Sequence, residues 1–433
     1  MRLHVLVLLE GLPYPVDPRV RAQVAALREA GHDVTVACPA GLGHDERDVV
    51  LDGVRVRRFA APAGGRSALG YVREYAGALV RLGGIVRAVG RERAVDLVLV
   101  CAPPDLLVAL ARPLARRGAA VVFDYRELSP ELFEAKFERR GLAHRALLAS
   151  ERYAFRHADA VTTVSRSCAE LACGRGGADP GLVFLVGNGP DPARVYPVTP
   201  RPELRRGRAH LVLWLGVMSR QEGLERLVEA AERVVRGHGR EDIHFALVGP
   251  GDARAELDRD IAARGLTDHV ELPGLVGDDL VRAYVSTADV CVGVDEPNAM
   301  NDRAAMRKIL EYLALGRPVV QFPLAEMRRL CGDATVYARS GDAADLAARI
   351  CALLDDDDRR RELGDAARRR AWSTLMWPAQ VPALHAAVDA AMSRAAERTR
   401  SHSRRLRLMR ASQLRGGRRS VAHTPRLGRR AES

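Results

Sequence analysis

Short apolar runs alternate along the chain with longer segments whose apolar positions recur every three or four residues. Leu3–Leu9, Val34–Cys38, Val54–Arg57, Leu97–Cys101, Val121–Asp124, Ala160–Val164 and Val183–Val186 have the composition of buried strands. Helical periodicity falls between them at Arg19–Ala30, Ala68–Arg91, Leu106–Arg117 and Ala143–His157. Such alternation predicts a parallel sheet with helices on both faces. Pro190–Arg208, rich in Pro and Arg, reads as a linker. The alternation then restarts. Leu211–Leu215, Phe245–Val248, Val270–Leu272, Val290–Val294 and Val319–Phe322 read as strands, and Leu224–Arg236, Ala253–Arg264, Leu280–Ser286, Arg303–Leu315 and Ala344–Leu354 as helices. Asp358–Arg370 and Thr374–Ala396 close the pattern as further helices.

The expected organisation is α/β, with two Rossmann-like parallel-sheet domains facing a cleft. Residues 1–190 form the first domain, 191–209 the linker, 210–372 the second domain and 373–396 a closing helix. Residues 397–433 form an Arg-rich tail that is expected to be disordered. Ligands of such sheets bind beyond the carboxyl ends of the strands.

Composition narrows the class. Hydrophobic residues make up 47% of the 433, enough for sizeable cores. No apolar run reaches the roughly 18 residues of a membrane span. The opening MRLHVLVLLEG reads as a first strand and not as a signal peptide. Seven cysteines are scattered without a CxxC pair or zinc spacing, so a reduced, cytoplasmic protein with no bound metal is expected. Thirteen arginines against two glutamates from Arg394 onward carry +11 of the +12 net charge. A nearly neutral folded part argues against a specific nucleic-acid-binding domain. The tail binds anionic lipid, binds nucleic acid or protein, or has no binding role. Ala68–Arg93 sets five arginines among Leu, Val, Tyr and Ile, as a membrane-surface helix would, or as a packed helix with a solvated face.

The segment Asn301–Pro318, NDRAAMRKILEYLALGRP, concentrates the candidate chemistry. The chain has only two lysines, and Lys308 is one of them; Glu311 follows it at a helical spacing of three. Asp302 stands where it can cap the helix, and Arg303 lies in its first turn, opposed by the dipole unless an anion sits between. The plainer reading is an amphipathic helix burying Met306, Ile309, Leu310 and Leu313. Gly216 at a strand end, and Gly249 and Gly251 in VGPGD, suit a close approach of phosphate or an ordinary βα turn.

These residues resemble the nucleotide-binding segment of retaining glycosyltransferases of family 4, which have the GT-B fold. The branch concerned has the motif NDR-small-small-M-x-K-hydrophobic-x-E-Y-M-A-L-G-K-P-V-V and includes bacterial enzymes of surface-polysaccharide assembly. LEGLPYPVDPRVRAQVAALREAGHDVTVACP, VVFDYRELSPELFEAKF and GVMSRQEGLERLVEAA resemble further family segments in the same order. The likeness implies a nucleoside-diphosphate sugar donor, Glu311 on the ribose hydroxyls and Lys308 facing the diphosphate without a metal. It implies base contacts from the backbone near Leu275, and a glycan or lipid-linked acceptor met on the inner face of the cell membrane.

This chain departs from the family at several positions. Arg303 stands where many members have a first glutamate, leaving Asp302 or Glu296 as substitutes. Val217 and Glu222 replace a phosphate-binding Arg and Lys, with Arg220 as the candidate replacement cation. The family's His and Asp become Arg126 and Glu127, and Arg126 is left to face phosphate. Asp17 and Arg19 match a D-x-R-V element, Ser165–Ser167 a cleft loop, and Asn188–Asp191 an NGPD turn. Two rival readings remain at this point: a sugar-nucleotide epimerase of the same fold, and a degenerate transferase that serves as a partner.

Overall fold

The computed structural model describes residues 2–60, 68–137 and 140–417. In the first domain the strands are β1 (His4–Leu8), β2 (Asp33–Pro39), β3 (Asp48–Leu51), β4 (Val54–Phe59), β5 (Leu97–Cys101), β6 (Ala120–Tyr125), β7 (Ala160–Thr163) and β8 (Val183–Leu185). The helices are α1 (Pro18–Glu29), α2 (Ala68–Glu92), α3 (Val108–Ala115), α4 (Ser129–Phe137), α5 (Leu142–His157) and α6 (Arg166–Cys173). The sheet runs β3-β4-β2-β1-β5-β6-β7-β8, parallel except for the β3–β4 hairpin. In β3 half-buried and exposed residues alternate, the pattern of an edge strand, so it lacked the continuous apolar run that marks its neighbours.

The second domain holds β9 (His210–Leu215), β10 (Ile243–Val248), β11 (Val270–Gly274), β12 (Val290–Gly293), β13 (Val319–Gln321) and β14 (Val336–Tyr337). Around them lie α7 (Leu224–Glu232), α8 (Arg254–Ala263), α9 (Asp278–Thr287), α10 (Arg307–Ala314), α11 (Ala325–Cys331), α12 (Ala343–Leu354) and α13 (Asp357–Arg370). Its all-parallel sheet runs β11-β10-β9-β12-β13-β14. Chain order reverses between β1 and β5 in one sheet and between β9 and β12 in the other. These crevices are where open parallel sheets bind ligands.

The closing element is a 41-residue helix, α14 (Trp377–Gly417), longer than the expected 373–396. It returns to the first domain, where Val388, Ala391 and Ala395 join the core and the helix packs against β6, β7 and β8. The disordered tail expected from residue 397 is corrected as far as Gly417. Arg398 donates to the Ala119 carbonyl and pairs with Asp159, so the basic composition conceals a docking contact. Residues 418–433, the rest of that expectation, lie outside the described residues. Helix α2 buries Ala78, Leu82, Val86 and Val89 in the domain core and turns Arg81, Arg87 and Arg91 outward.

The first domain also carries an unpaired buried acid. Asp105, after β5, is 2% exposed, and neither carboxylate oxygen has a hydrogen-bond partner. Burial, reinforced by Glu151, holds its carboxyl well above the usual range. It therefore keeps its proton in the folded protein, while the unfolded chain loses it near pH 4. Stability falls as pH rises from there toward the folded value. Asp105→Asn is expected to raise the unfolding free energy by about 1–3 kcal/mol at pH 8, with the gain shrinking toward pH 4. Urea unfolding at the two pH values checks this.

Candidate active site

Lys308 sits at the reversal point of the second sheet. Helix α10 is fixed there by Tyr312, whose hydroxyl accepts from the Leu215 amide at the end of β9 (2.7 Å), and by the buried Ile309, Leu310 and Leu313. Lys308 Nζ lies 2.5 Å from Glu222 Oε2, in the turn after β9, and 3.0 Å from Asp295 Oδ2, just past β12. The ammonium also stands 4.9 Å from the ring centre of buried Trp214, a cation–π contact. Burial works against the charge of Lys308, but Asp295 and Glu222 outweigh it and hold the ammonium above its ordinary value. Burial pushes the Glu222 carboxyl up, a shift that Lys308 opposes and Asp295 reinforces. Neither Asp295 nor Trp214 was among the expected site residues. A strand-end aspartate and a core tryptophan carry no local signal of the lysine that they meet.

Glu311, one turn further along α10, accepts from Arg307 Nε at 2.8 Å. Both line a cavity of about 250 Å³ between α9, α10 and the start of α1, with Asp278, Arg194 and Pro18 on its other walls. Leu275, in the loop before α9, is exposed.

The NDR segment differs from expectation. Asn301–Arg303 form a separate 3₁₀ turn, and α10 starts only at Arg307, with Met306 at its N-cap and no side-chain cap. The Asn298 side chain accepts from the amides of Met300 and Asn301, and Asn301 Nδ2 donates to the Glu296 carbonyl. These bonds hold the loop before the turn, and the extended backbone at Ala304 and Met306 separates the turn from α10. Asp302 therefore does not cap α10, and its Oδ1 accepts from the Ala325 amide at the start of α11. Arg303 is outside the first helical turn. Its side chain reaches the Ala299 carbonyl, and its own carbonyl accepts from Ser165 Oγ of the first domain (2.8 Å).

Arg220 is exposed and pairs with Glu256 of α8 at 2.9 Å. Gly216, Gly249 and Gly251 allow two loops to cross. A Cβ on Gly249 would lie 1.8 Å from the Gly216 carbonyl oxygen, one on Gly251 2.0 Å from that of Met218, and one on Gly216 2.7 Å from the Trp214 ring. On the side where a Cβ would stand, these glycines meet protein backbone and the Trp214 ring.

In the first domain Arg126 bridges the β1/β5 reversal point, donating to Asp17 Oδ2 (2.8 Å) and to the Ala102 carbonyl (2.6 Å). Asp17 caps α1 through the Val20 amide. Arg19 forms a two-pronged pair with fully buried Asp124 and reaches Val186, Gly187 and Asn188. Ser165 caps α6, and Glu326 of the second domain accepts from the Arg166 and Ser167 amides. Among the described residues no cluster of three or more His, Cys, Asp or Glu side chains is arranged to hold a metal ion. No helix there is long and apolar enough to cross a membrane.

Comparison with known proteins bears on both lobes. Residues 16–189 match the glycosyl transferase 4-like domain, and residues 209–356 match the glycosyl transferases group 1 family. A 2-deoxystreptamine N-acetyl-D-glucosaminyltransferase of Streptomyces fradiae is 29% identical over 287 residues, 63% of this chain and 66% of that protein. The fold is similar to sucrose-phosphate synthase of Thermosynechococcus elongatus, with TM-score 0.71, 20% identity, and 88% and 96% of the two chains covered. It is also similar to HepE of Anabaena, solved with UDP-glucose, with TM-score 0.68, 16% identity, and 89% and 99% covered. Two parallel-sheet lobes, each matching a glycosyltransferase domain, place this chain among the GT-B glycosyltransferases of the family 4 type.

Proposed function

We propose that the protein transfers a hexosyl or N-acetylhexosaminyl group from a nucleoside-diphosphate sugar to an acceptor hydroxyl, with retention. The observation that carries this reading is the placement of Lys308 at the β9/β12 reversal point while Glu311 lines the neighbouring cavity. Glu311 offers carboxylate oxygens to a ribose diol. Lys308 stabilises charge on the departing diphosphate, the role that a metal ion would otherwise fill. The acceptor enters from the first domain and attacks on the face that the diphosphate leaves, and the departing phosphate oxygen takes its proton. The likeness to the Streptomyces enzyme supports transfer to a polyhydroxylated acceptor, and the surface-glycan branch supports a glycan or lipid-linked one. The exposed Arg81, Arg87 and Arg91 of α2 support a seat on an anionic, cytoplasmic membrane face.

A thermal-shift screen of the full chain against UDP-, GDP- and dTDP-sugars tests the reading. One base class is expected to stabilise the fold, by about 2.7 kcal/mol at a hundred times Kd. Absence of any shift would remove the donor assignment. Glu311→Ala is expected to weaken that nucleotide by at least tenfold, about 1.4 kcal/mol. Unchanged affinity would remove Glu311 from the ribose.

A further inference from the structure

The Lys308 cluster has one more anion than a phosphate-binding lysine needs. The ammonium meets two carboxylates, so one lysine serves two acidic side chains at the place proposed for the donor diphosphate. The two carboxylates differ in their freedom to leave. Asp295 is 4% exposed, sits directly after β12, and has no solvent to turn into. Glu222 is 27% exposed on its side chain. It occupies a one-turn 3₁₀ segment, Arg220–Glu222, closed by Gly223 at φ +67°, a backbone conformation open to glycine. Its neighbour Arg220 already faces outward to Glu256. The part-exposed Glu222 side chain can therefore rotate toward solvent, away from Lys308, without disturbing the buried Lys308–Asp295 pair.

We infer that Glu222 is a tethered counter-ion, which occupies the phosphate position on Lys308 in the empty enzyme and is displaced when the donor diphosphate binds. The inference rests on the donor reading given above. A tethered carboxylate has a high effective concentration at its site, so an incoming anion must outcompete it. Every ligand that uses Lys308 thus bears the same displacement cost, and a ligand that does not reach Lys308 bears none. Glu222 sets the affinity for donor and for the released diphosphate alike, which favours product release over tight holding.

Titration calorimetry on the full chain with UDP, GDP and dTDP tests this. Glu222→Gln keeps the size of the side chain and one acceptor oxygen and removes the charge. Glu222→Ala removes the side chain altogether. Both are expected to bind the preferred nucleotide about tenfold more tightly than the unaltered protein. Glu225→Gln, a change of the same charge at an exposed position on α7, is expected to alter affinity less than about twofold, the scale of a screened surface charge. Adding Lys308→Met to Glu222→Gln should abolish the gain. Melting curves establish that each variant is folded. Unchanged or weaker binding by folded Glu222→Gln and Glu222→Ala, with the unaltered protein binding normally, would overturn the counter-ion role and leave the donor reading intact. If no nucleotide diphosphate binds the unaltered protein or any variant, the donor reading and this inference fall together.

Discussion

Lys308→Met is expected to lower kcat for sugar transfer by about 10²–10³, the loss typical of removing one preorganised charge at a developing anion. The lysine is held in place by the folded chain. Asp295 fixes its Nζ at 3.0 Å, Trp214 lies beneath it, and α10 is anchored through Tyr312. The substitution has a second effect that must be separated from the first. It strips Asp295 of its cation, and breaking a buried pair on one side costs about 3–5 kcal/mol of stability. Glu222 can turn to water, whereas Asp295 cannot. Lys308→Met combined with Asp295→Asn removes the stranded charge, so stability should return toward that of the unaltered protein while turnover stays low. Urea unfolding and initial-rate measurements on the two variants distinguish these effects. If the double variant recovered both stability and turnover, Lys308 would be a structural residue only.

An effect on folding of similar size is expected at Asp124→Ala, a loss of about 3–5 kcal/mol. Asp124 is fully buried at the end of β6 and accepts from Arg19 Nε (2.9 Å) and Nη2 (2.6 Å), and from Thr162 Oγ1 of β7 (2.7 Å). Burial opposes its charge, yet Arg19 more than compensates and holds the carboxyl below its ordinary range. The same guanidinium donates to the carbonyls of Val186 and Gly187 and to Asn188. One arginine thus ties α1, β6 and the loop after β8. Removing Asp124 leaves a buried cation with only neutral acceptors. Asp124→Asn should cost less, because one acceptor oxygen stays in place. Denaturant midpoints measured at pH 7 test the order. A midpoint for Asp124→Ala within error of the unaltered protein would mean that Arg19 finds solvent or another acid.

Polar residues at the sheet ends can resemble a ligand site in the sequence and serve the fold instead. The pair Asp17 and Arg19 has the look of a ligand-binding element, and NGPD of a cleft loop. In the folded chain Asp17 caps α1 and holds Arg126, while Arg19 is spent on Asp124 and Asn188. Their polarity serves the sheet ends on which a cleft is built. Similarly, Gly216, Gly249 and Gly251 are needed where two loops cross at backbone distance. A glycine pattern alone does not say whether the close neighbour is a phosphate or another stretch of chain.

What the sequence by itself determined is what depends on near neighbours. The two runs of βα alternation, the break near residue 200, and the shared helix of Lys308 and Glu311 all follow from periodicities of two and 3.6 residues. The tertiary structure decided the partners. Lys308 meets an aspartate 13 residues before it and a glutamate 86 residues before it, and Arg19 meets an aspartate 105 residues away. The same holds for Asp302, which spends its carboxylate on the start of α11, and for Arg398, whose tail-like composition hides a contact with the first domain. A charged side chain in a sequence announces only that it needs a counter-charge or water. Which of these it receives is settled when distant strand ends are brought to the same crevice, and that depends on the packing of both sheets.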